Sequence, residues 1–182
     1  KGAMDELIVG DPAHPDTDIG PIIDASAQTA LLQAIEELKS TARGWHQTRV
    51  TAACAHSTFV PPTLIEVERV QNVSKELFGP ILHVVRFASD ELDRIIDAIN
   101  ASGHGLTHGV HSRLESTIAR VCKKVRAGNI YVGRNVIGAV VGVQPFGGEG
   151  KSGTGPKAGG PLYLRALVRS GATDLFPTPT AP

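Results

Sequence analysis

Apolar residues recur along this chain at helical spacing in some stretches and in short unbroken runs in others. Beyond Asp24, the residues Leu31, Leu32, Ile35 and Leu38 share one face and predict a helix, with Asp24 as its N-cap and Ile23 as a hydrophobic staple. Before it, Gly10, Pro12, Pro15, Gly20 and Pro21 require a loop over 10–23. Residues 44–58 show no period and predict no single element. Phe59 to Val70 holds two apolar runs around Pro61-Pro62 and reads as extended chain. Ile81 to Phe87 is short, branched and apolar, the pattern of a buried strand.

The second half alternates more regularly. Ser89 is positioned as an N-cap, Asp90 and Glu91 suit the positive first turn, and Leu92, Ile95, Ile96 and Ile99 form a stripe that Gly103 ends. Thr107 to His111 reads as a strand. Leu114, Ile118, Val121, Cys122 and Val125 mark a second helix closed by Gly128, and Asn129 to Val132 reads as another strand. Strand, helix, strand, helix, strand with short links predicts an α/β fold, with a largely parallel sheet and flanking helices. Glycines crowd residues 133–160, so that stretch must turn or approach other backbone closely. Pro161 to Ser170 reads as a last strand or a short helix, and 177–182 as a disordered tail. The chain has no internal repeat.

Composition narrows the function classes. The chain has 182 residues, of which 41% are hydrophobic, enough for a core. Lys+Arg and Asp+Glu balance at 18 each, which argues against a nucleic-acid or anionic-membrane surface. No apolar run approaches the roughly 18 residues of a membrane span. Lys1 to Asp5 is no signal peptide; it reads as the interior of an amphipathic helix that starts upstream. With two cysteines there is no disulfide framework, and a cytoplasmic location is the expectation. Without a secretory signal, the glycosylation sequons at Asn72 and Asn100 are read as chance matches.

Several residues imitate functional sites. Gly148, Gly150 and Gly153 satisfy G-x-G-x-x-G, but Pro145-Phe146 precede them and Thr154-Gly155-Pro156 follow. A dinucleotide loop needs a strand before it and a helix after it. Gly150-Lys151-Ser152 imitates the end of a Walker A loop, yet the leading glycine's place holds Pro145. A glycine-rich loop packed on the body of the protein is the better reading of both. His104, His108 and His111 lie close in sequence, but alternation puts His108 and His111 on opposite faces of a strand, and no further ligand interrupts them. Cys122 sits on an apolar helix face and reads as core; Cys54, near His56, lacks any local orienting group or oxyanion hole and reads as inert.

Ordered motifs then carry a resemblance. They are Gly20-Pro21, Lys75-Glu76-Leu77-Phe78-Gly79-Pro80, Gly105-Leu106-Thr107-His108-Gly109-Val110, Gly128-Asn129-Ile130-Tyr131-Val132, Gln144-Pro145-Phe146-Gly147-Gly148, and Ser152-Gly153-Thr154-Gly155. In this order the chain resembles the aldehyde dehydrogenase superfamily over nearly its whole length. Ile137 to Gly148 and Gly155 to Leu164 are similar to the 1-pyrroline-5-carboxylate (glutamate-semialdehyde) dehydrogenase branch, including the dehydrogenase half of the bifunctional proline utilization A enzymes.

The resemblance implies NAD-dependent oxidation of glutamate γ-semialdehyde to glutamate by a thiolate nucleophile. It implies that Glu76 accepts from the nicotinamide ribose hydroxyls, that Phe78 packs near the nicotinamide, that Gly138 and Ala139 anchor the substrate's α-carboxylate through backbone N–H groups, and that Phe146 walls the aldehyde tunnel. The family's nucleophile lies in a Gly-Gln-x-Cys-Ser motif that this chain lacks, so the chain is expected to be a C-terminal portion, inactive alone. The segments divide as 1–134, part of the catalytic α/β domain; 135–160, the substrate-anchor and rim loop; 161–176, an oligomerisation strand region; and the tail. Implied partners are the small-molecule substrate, the preceding part of the same enzyme and further copies of it; FAD would belong only to an upstream proline dehydrogenase half. A non-catalytic assembly module of the same fold is the alternative, and a small phosphate-binding protein using Gly148 to Gly155 is a third reading.

Overall fold

The computed structural model of the chain describes residues 1–137, 143–153 and 157–166. Two compact units divide it, Lys1–Ser89 and Asp90–Pro182, the boundary falling inside the 1–134 stretch.

The first unit opens with a short helix, α1 (Gly2–Asp5), which buries none of its side chains. The long helix α2 (Ala25–Thr41) begins where the sequence predicts, with the Asp24 carboxylate accepting from the Ala27 N–H at 2.7 Å. The expected staple does not form: Ile23 is 91% exposed. Its packing position on the first turn is Gln28, whose amide instead donates to the carbonyls of Phe59 and Ser57. The buried face is Leu31, Ala34 and Ile35, while Leu32 turns outward. That face covers a three-stranded sheet of β1 (Gly44–Gln47), β2 (Thr63–Glu66) and β3 (Ile81–Val84). Between β1 and β2, in the stretch without a period, Ala52–His56 forms a 3-10 helix. β2 is central, antiparallel to β1 and parallel to β3. Its inward residues Thr63 and Ile65 are fully buried. Thr63 is tolerated there because its hydroxyl donates to the Pro61 carbonyl and accepts from the Gln47 amide. β3 is shorter than the apolar run suggests, ending at Val84, and it lies at the edge of the sheet, leaving Leu82 exposed.

In the second unit, α3 (Leu92–Ala101) is preceded by a 3-10 turn over Ser89–Glu91, so Ser89 opens that turn rather than capping the α-helix. Gly103, at φ +76°, ends it in the left-handed conformation that glycine permits. β4 (His104–Gly105) and β5 (Thr107–Val110) follow, then α4 (Glu115–Lys124), β6 (Asn129–Val132), β7 (Glu149–Gly150) and a short α5 (Tyr163–Ala166). β5 and β6 pair in parallel; β4 and β7 pair antiparallel. The α/β class therefore stands, with pairing divided between the two senses. His111 falls beyond the end of β5. Of the last segment, Tyr163–Ala166 is helical and 167–182 lies outside the described residues.

Ile96, Val110, Val121 and Val125 form the core here, with Leu92, Ile118, Cys122 and Ile130 against it. Leu114, expected on that face, is the N-cap and is exposed. Asn100 accounts for the far end of α4: its amide donates to the Lys124 carbonyl and accepts from the Arg126 N–H, satisfying groups a helix terminus leaves open.

On the surface, Asp93 of α3 accepts from Arg120 and Lys124 of α4. The Arg120 hydrogen bond, then that of Lys124, holds the Asp93 carboxyl at a pKa of about 2, below its ordinary 3.8. The folded-state value is the lower one, so this contribution is present above about pH 4 and is lost as pH falls toward 2. All three groups are substantially exposed, which makes the contribution small and salt-sensitive. Asp93→Asn is expected to lower the neutral-pH melt slightly and to remove the same small amount from the loss of stability between pH 4 and 2, as read by thermal melts across that range.

Candidate active-site rim

Residues 75 to 80 leave the 3-10 turn at Val70–Asn72 and run without regular structure to β3. The middle residue, Leu77, packs inward on Leu31, Ile35 and Val60. Its neighbours on either side, Glu76 and Phe78, are exposed. Phe78 is 81% exposed, the side chain of a large aromatic presented with no apolar cover. The segment is held by backbone: Gly79 N–H donates to Leu77 O, Ile81 N–H to Gly79 O, and Thr63 N–H to Pro80 O. A side chain at Gly79 would come within 2.7 Å of Leu31, so glycine is what lets the segment lie against α2. A carboxylate and an aromatic are thus presented side by side. Such a pair can accept from hydroxyl groups and stack on a flat ring.

Beside this segment a cavity of about 160 Å³ opens, lined by Ala34, Leu38 and Leu77 and by Ser74, Lys75 and His83. His83 Nε2 is buried with no partner among the described residues. Burial pushes its pKa down, which keeps the ring neutral at physiological pH. Nothing in the sequence marked His83, which sits in the apolar run of β3.

In the second unit, Phe146 is half-buried in the glycine-rich stretch. Its N–H donates to Ala158 O at 3.1 Å and its carbonyl accepts from Ala158 N–H at 3.0 Å. The side chain of Asn129 donates to Gly147 O at 3.0 Å, and Gln144 donates to the Tyr131 hydroxyl at 3.0 Å. The sequence assigns Asn129 and Tyr131 to a strand and to one of the ordered family motifs but to no site role; an amide directly after Gly128 in an apolar strand was the available signal. Gly138 and Ala139 lie outside the described residues.

The phosphate imitations resolve as packing. Gly150 takes φ +62°, Lys151 N–H donates to Gly103 O, Ser152 N–H donates to Glu149 O, and the Ser152 hydroxyl accepts from Gly105 N–H. The loop's N–H groups at 151 and 152 are thereby occupied within the fold. Lys151 Nζ also bonds Ser102 O. Cys54 is buried, its thiol directed at Val9 O and Thr51 Oγ1. Cys122 is part of the packing around Ile96. His104 is exposed, and burial lowers the pKa of half-buried His108. Among the described residues no group of three His, Cys, Asp or Glu is arranged to hold a metal, and no helix is long and apolar enough to cross a membrane.

Comparison with known proteins places these geometries in context. The model of the aldehyde dehydrogenase family matches residues 1–170. The bifunctional protein PutA of Klebsiella aerogenes is 52% identical over 179 residues, covering 96% of this chain and 14% of that protein. The 1-pyrroline-5-carboxylate dehydrogenase of Geobacillus kaustophilus is 38% identical over 162 residues, covering 87% of this chain and 30% of that protein. A solved structure of Bradyrhizobium japonicum proline utilization A superposes with a TM-score of 0.83 at 49% identity, over 90% of this chain and 16% of that one.

Proposed function

This chain belongs to the aldehyde dehydrogenase family, and on that premise we propose that it forms part of the active-site rim of an NAD-dependent enzyme that oxidises L-glutamate γ-semialdehyde to L-glutamate. The observation that carries the reading is the 52% identity to a bifunctional PutA across 96% of the chain. It is supported by the outward display of Glu76 and Phe78 around an inward Leu77.

Each residue then has a task. Glu76 accepts hydrogen bonds from the two ribose hydroxyls next to the nicotinamide, and Phe78 covers an edge of that ring. Bound NAD supplies the acceptor for the hydride that leaves the aldehyde carbon. Gly138 and Ala139 offer backbone N–H groups to the substrate's α-carboxylate, and Phe146 walls the channel through which the aldehyde reaches the nucleophile. That nucleophile is a cysteine from the preceding part of the same enzyme, because the Cys54 thiol is buried and Cys122 is part of a core. The chain alone is therefore inactive. Its free thiols suit a reducing cytoplasm, and the enzyme assembles as a homo-oligomer.

The deciding assay is NAD reduction with 1-pyrroline-5-carboxylate, by the full-length protein and by residues 1–182 alone; activity in the short chain would sink the reading. Glu76→Ala in the full-length protein is expected to raise KM for NAD about tenfold or more, the worth of a charged hydrogen-bonding group, with KM for the aldehyde unchanged. An unchanged KM for NAD would remove Glu76 from the cofactor site.

A further inference from the structure

We propose that Asn129 is a positioning residue for the aldehyde channel, acting through the backbone around Phe146, with Tyr131 as its companion on the same strand. The proposal rests on the assignment of Phe146 to that channel.

Asn129 and Tyr131 are two residues apart on β6, and both are buried, at 7% and 8% exposure, so they face the same way. A buried amide is costly unless its hydrogen bonds are made. Asn129 makes them with Nδ2, to Leu106 O at 3.1 Å and Gly147 O at 3.0 Å. The first bond duplicates one that the Asn129 backbone N–H already makes to the same carbonyl. The second has no duplicate: it is how this side chain reaches the residue after Phe146. Tyr131 holds the other end. Its hydroxyl accepts from Gln144, two residues before Phe146, and its ring carries the Arg134 guanidinium at 4.8 Å.

The four residues Gln144 to Gly147 are thereby held from β6 at both ends. Pro145 stiffens the middle by fixing φ, and Ala158 pairs with Phe146 from the opposite side. Phe146 is thus anchored through both of its flanks and through its own backbone. Its position sets the channel width, so Asn129 and Tyr131 set the aldehyde's fit without touching it. An aspartate at 129 keeps the size but replaces the donor with an acceptor, facing two carbonyl oxygens.

The test is a double-mutant cycle in the full-length protein, with steady-state kinetics on glutamate semialdehyde. Asn129→Ala is expected to lower kcat/KM about tenfold, mainly through KM. Asn129→Asp should do the same, and neither variant should change KM for NAD. Combined with Phe146→Ala, neither should add a further loss beyond that of Phe146→Ala alone, because both act through one side chain. Losses that multiply independently, or an Asn129→Ala enzyme with wild-type kcat/KM, overturn the proposal. If Asn129 variants do not fold, Tyr131→Phe, which removes only the hydroxyl, decides by the same cycle: a loss of about threefold that vanishes on the Phe146→Ala background is expected, and an independent loss overturns it. A Phe146→Ala enzyme with unchanged kinetics refutes the channel assignment itself, which is a different failure.

Discussion

Replacing Gly128 by alanine is expected to open the glycine-rich loop and remove most of the activity of the full-length protein. The added methyl carbon would lie 1.8 Å from the Gly147 carbonyl oxygen and 2.8 Å from its carbon. The obstacle is backbone, so no rotamer change relieves it. Either β6 or the loop must move, and both choices break the Asn129 bond to Gly147 O and disturb the seat of Phe146. Forcing an atom into a packed contact of this kind costs about 3 kcal/mol or more. The expected readings are a lower melting temperature, new proteolytic sensitivity within 143–153, and a kcat/KM down by about two orders of magnitude. Gly44→Ala is the control, since a methyl there meets nothing within 4 Å. If Gly128→Ala melts and turns over like Gly44→Ala, the close approach of residues 128 and 147 is wrong.

Ile96→Ala is expected to give the largest loss of stability by cavity formation. Ile96 is 1% exposed and is surrounded by Val110, Val121 and Val125. Truncating a buried isoleucine removes transfer energy and leaves a void, at a cost of roughly 3–4 kcal/mol, whereas Ile96→Val should cost about 1 kcal/mol. A domain whose total stability is on the order of 10 kcal/mol loses a large share by this change. The Asp93 ion pairs that bridge α3 and α4 are exposed and cannot compensate. The two helices are therefore joined chiefly through their apolar seam. Urea unfolding should show a lower midpoint with an unchanged slope. A midpoint for Ile96→Ala no lower than that for Asp93→Asn would reverse this ordering of effects.

What the sequence disclosed, and what it withheld, follows the range of the interactions involved. α2, α3, α4 and the three longer strands of the βαβ stretches were legible because apolar spacing and caps are local signals: Asp24 caps where its position predicts, and Gly103 ends α3 as expected. The failures occurred where a distant partner decided the outcome. Ile23 stays exposed because Gln28 is taken by carbonyls some thirty residues on. β1 emerged from an unpatterned stretch because β2 supplies its pairing. β4 and β7 are two residues each and carry no period of their own. Glu76, Phe78 and Phe146 are singled out only by motif resemblance, and composition alone would have passed over them. The clasp from Asn129 and Tyr131 escaped notice because its partners lie 13 and 18 residues away. Gly128, read as a helix terminator, serves close packing instead, for α4 already ends at Lys124.

The inward Leu77 between its two outward neighbours has a consequence for how such an enzyme diversifies. Folding uses one side chain of that tripeptide and leaves the other two on the surface for the cofactor role proposed above, so the two pressures act on separate atoms. Substitution at 76 or 78 leaves the packed Leu77 in place, whereas inserting or deleting a single residue would move Leu77 out of its contact with α2.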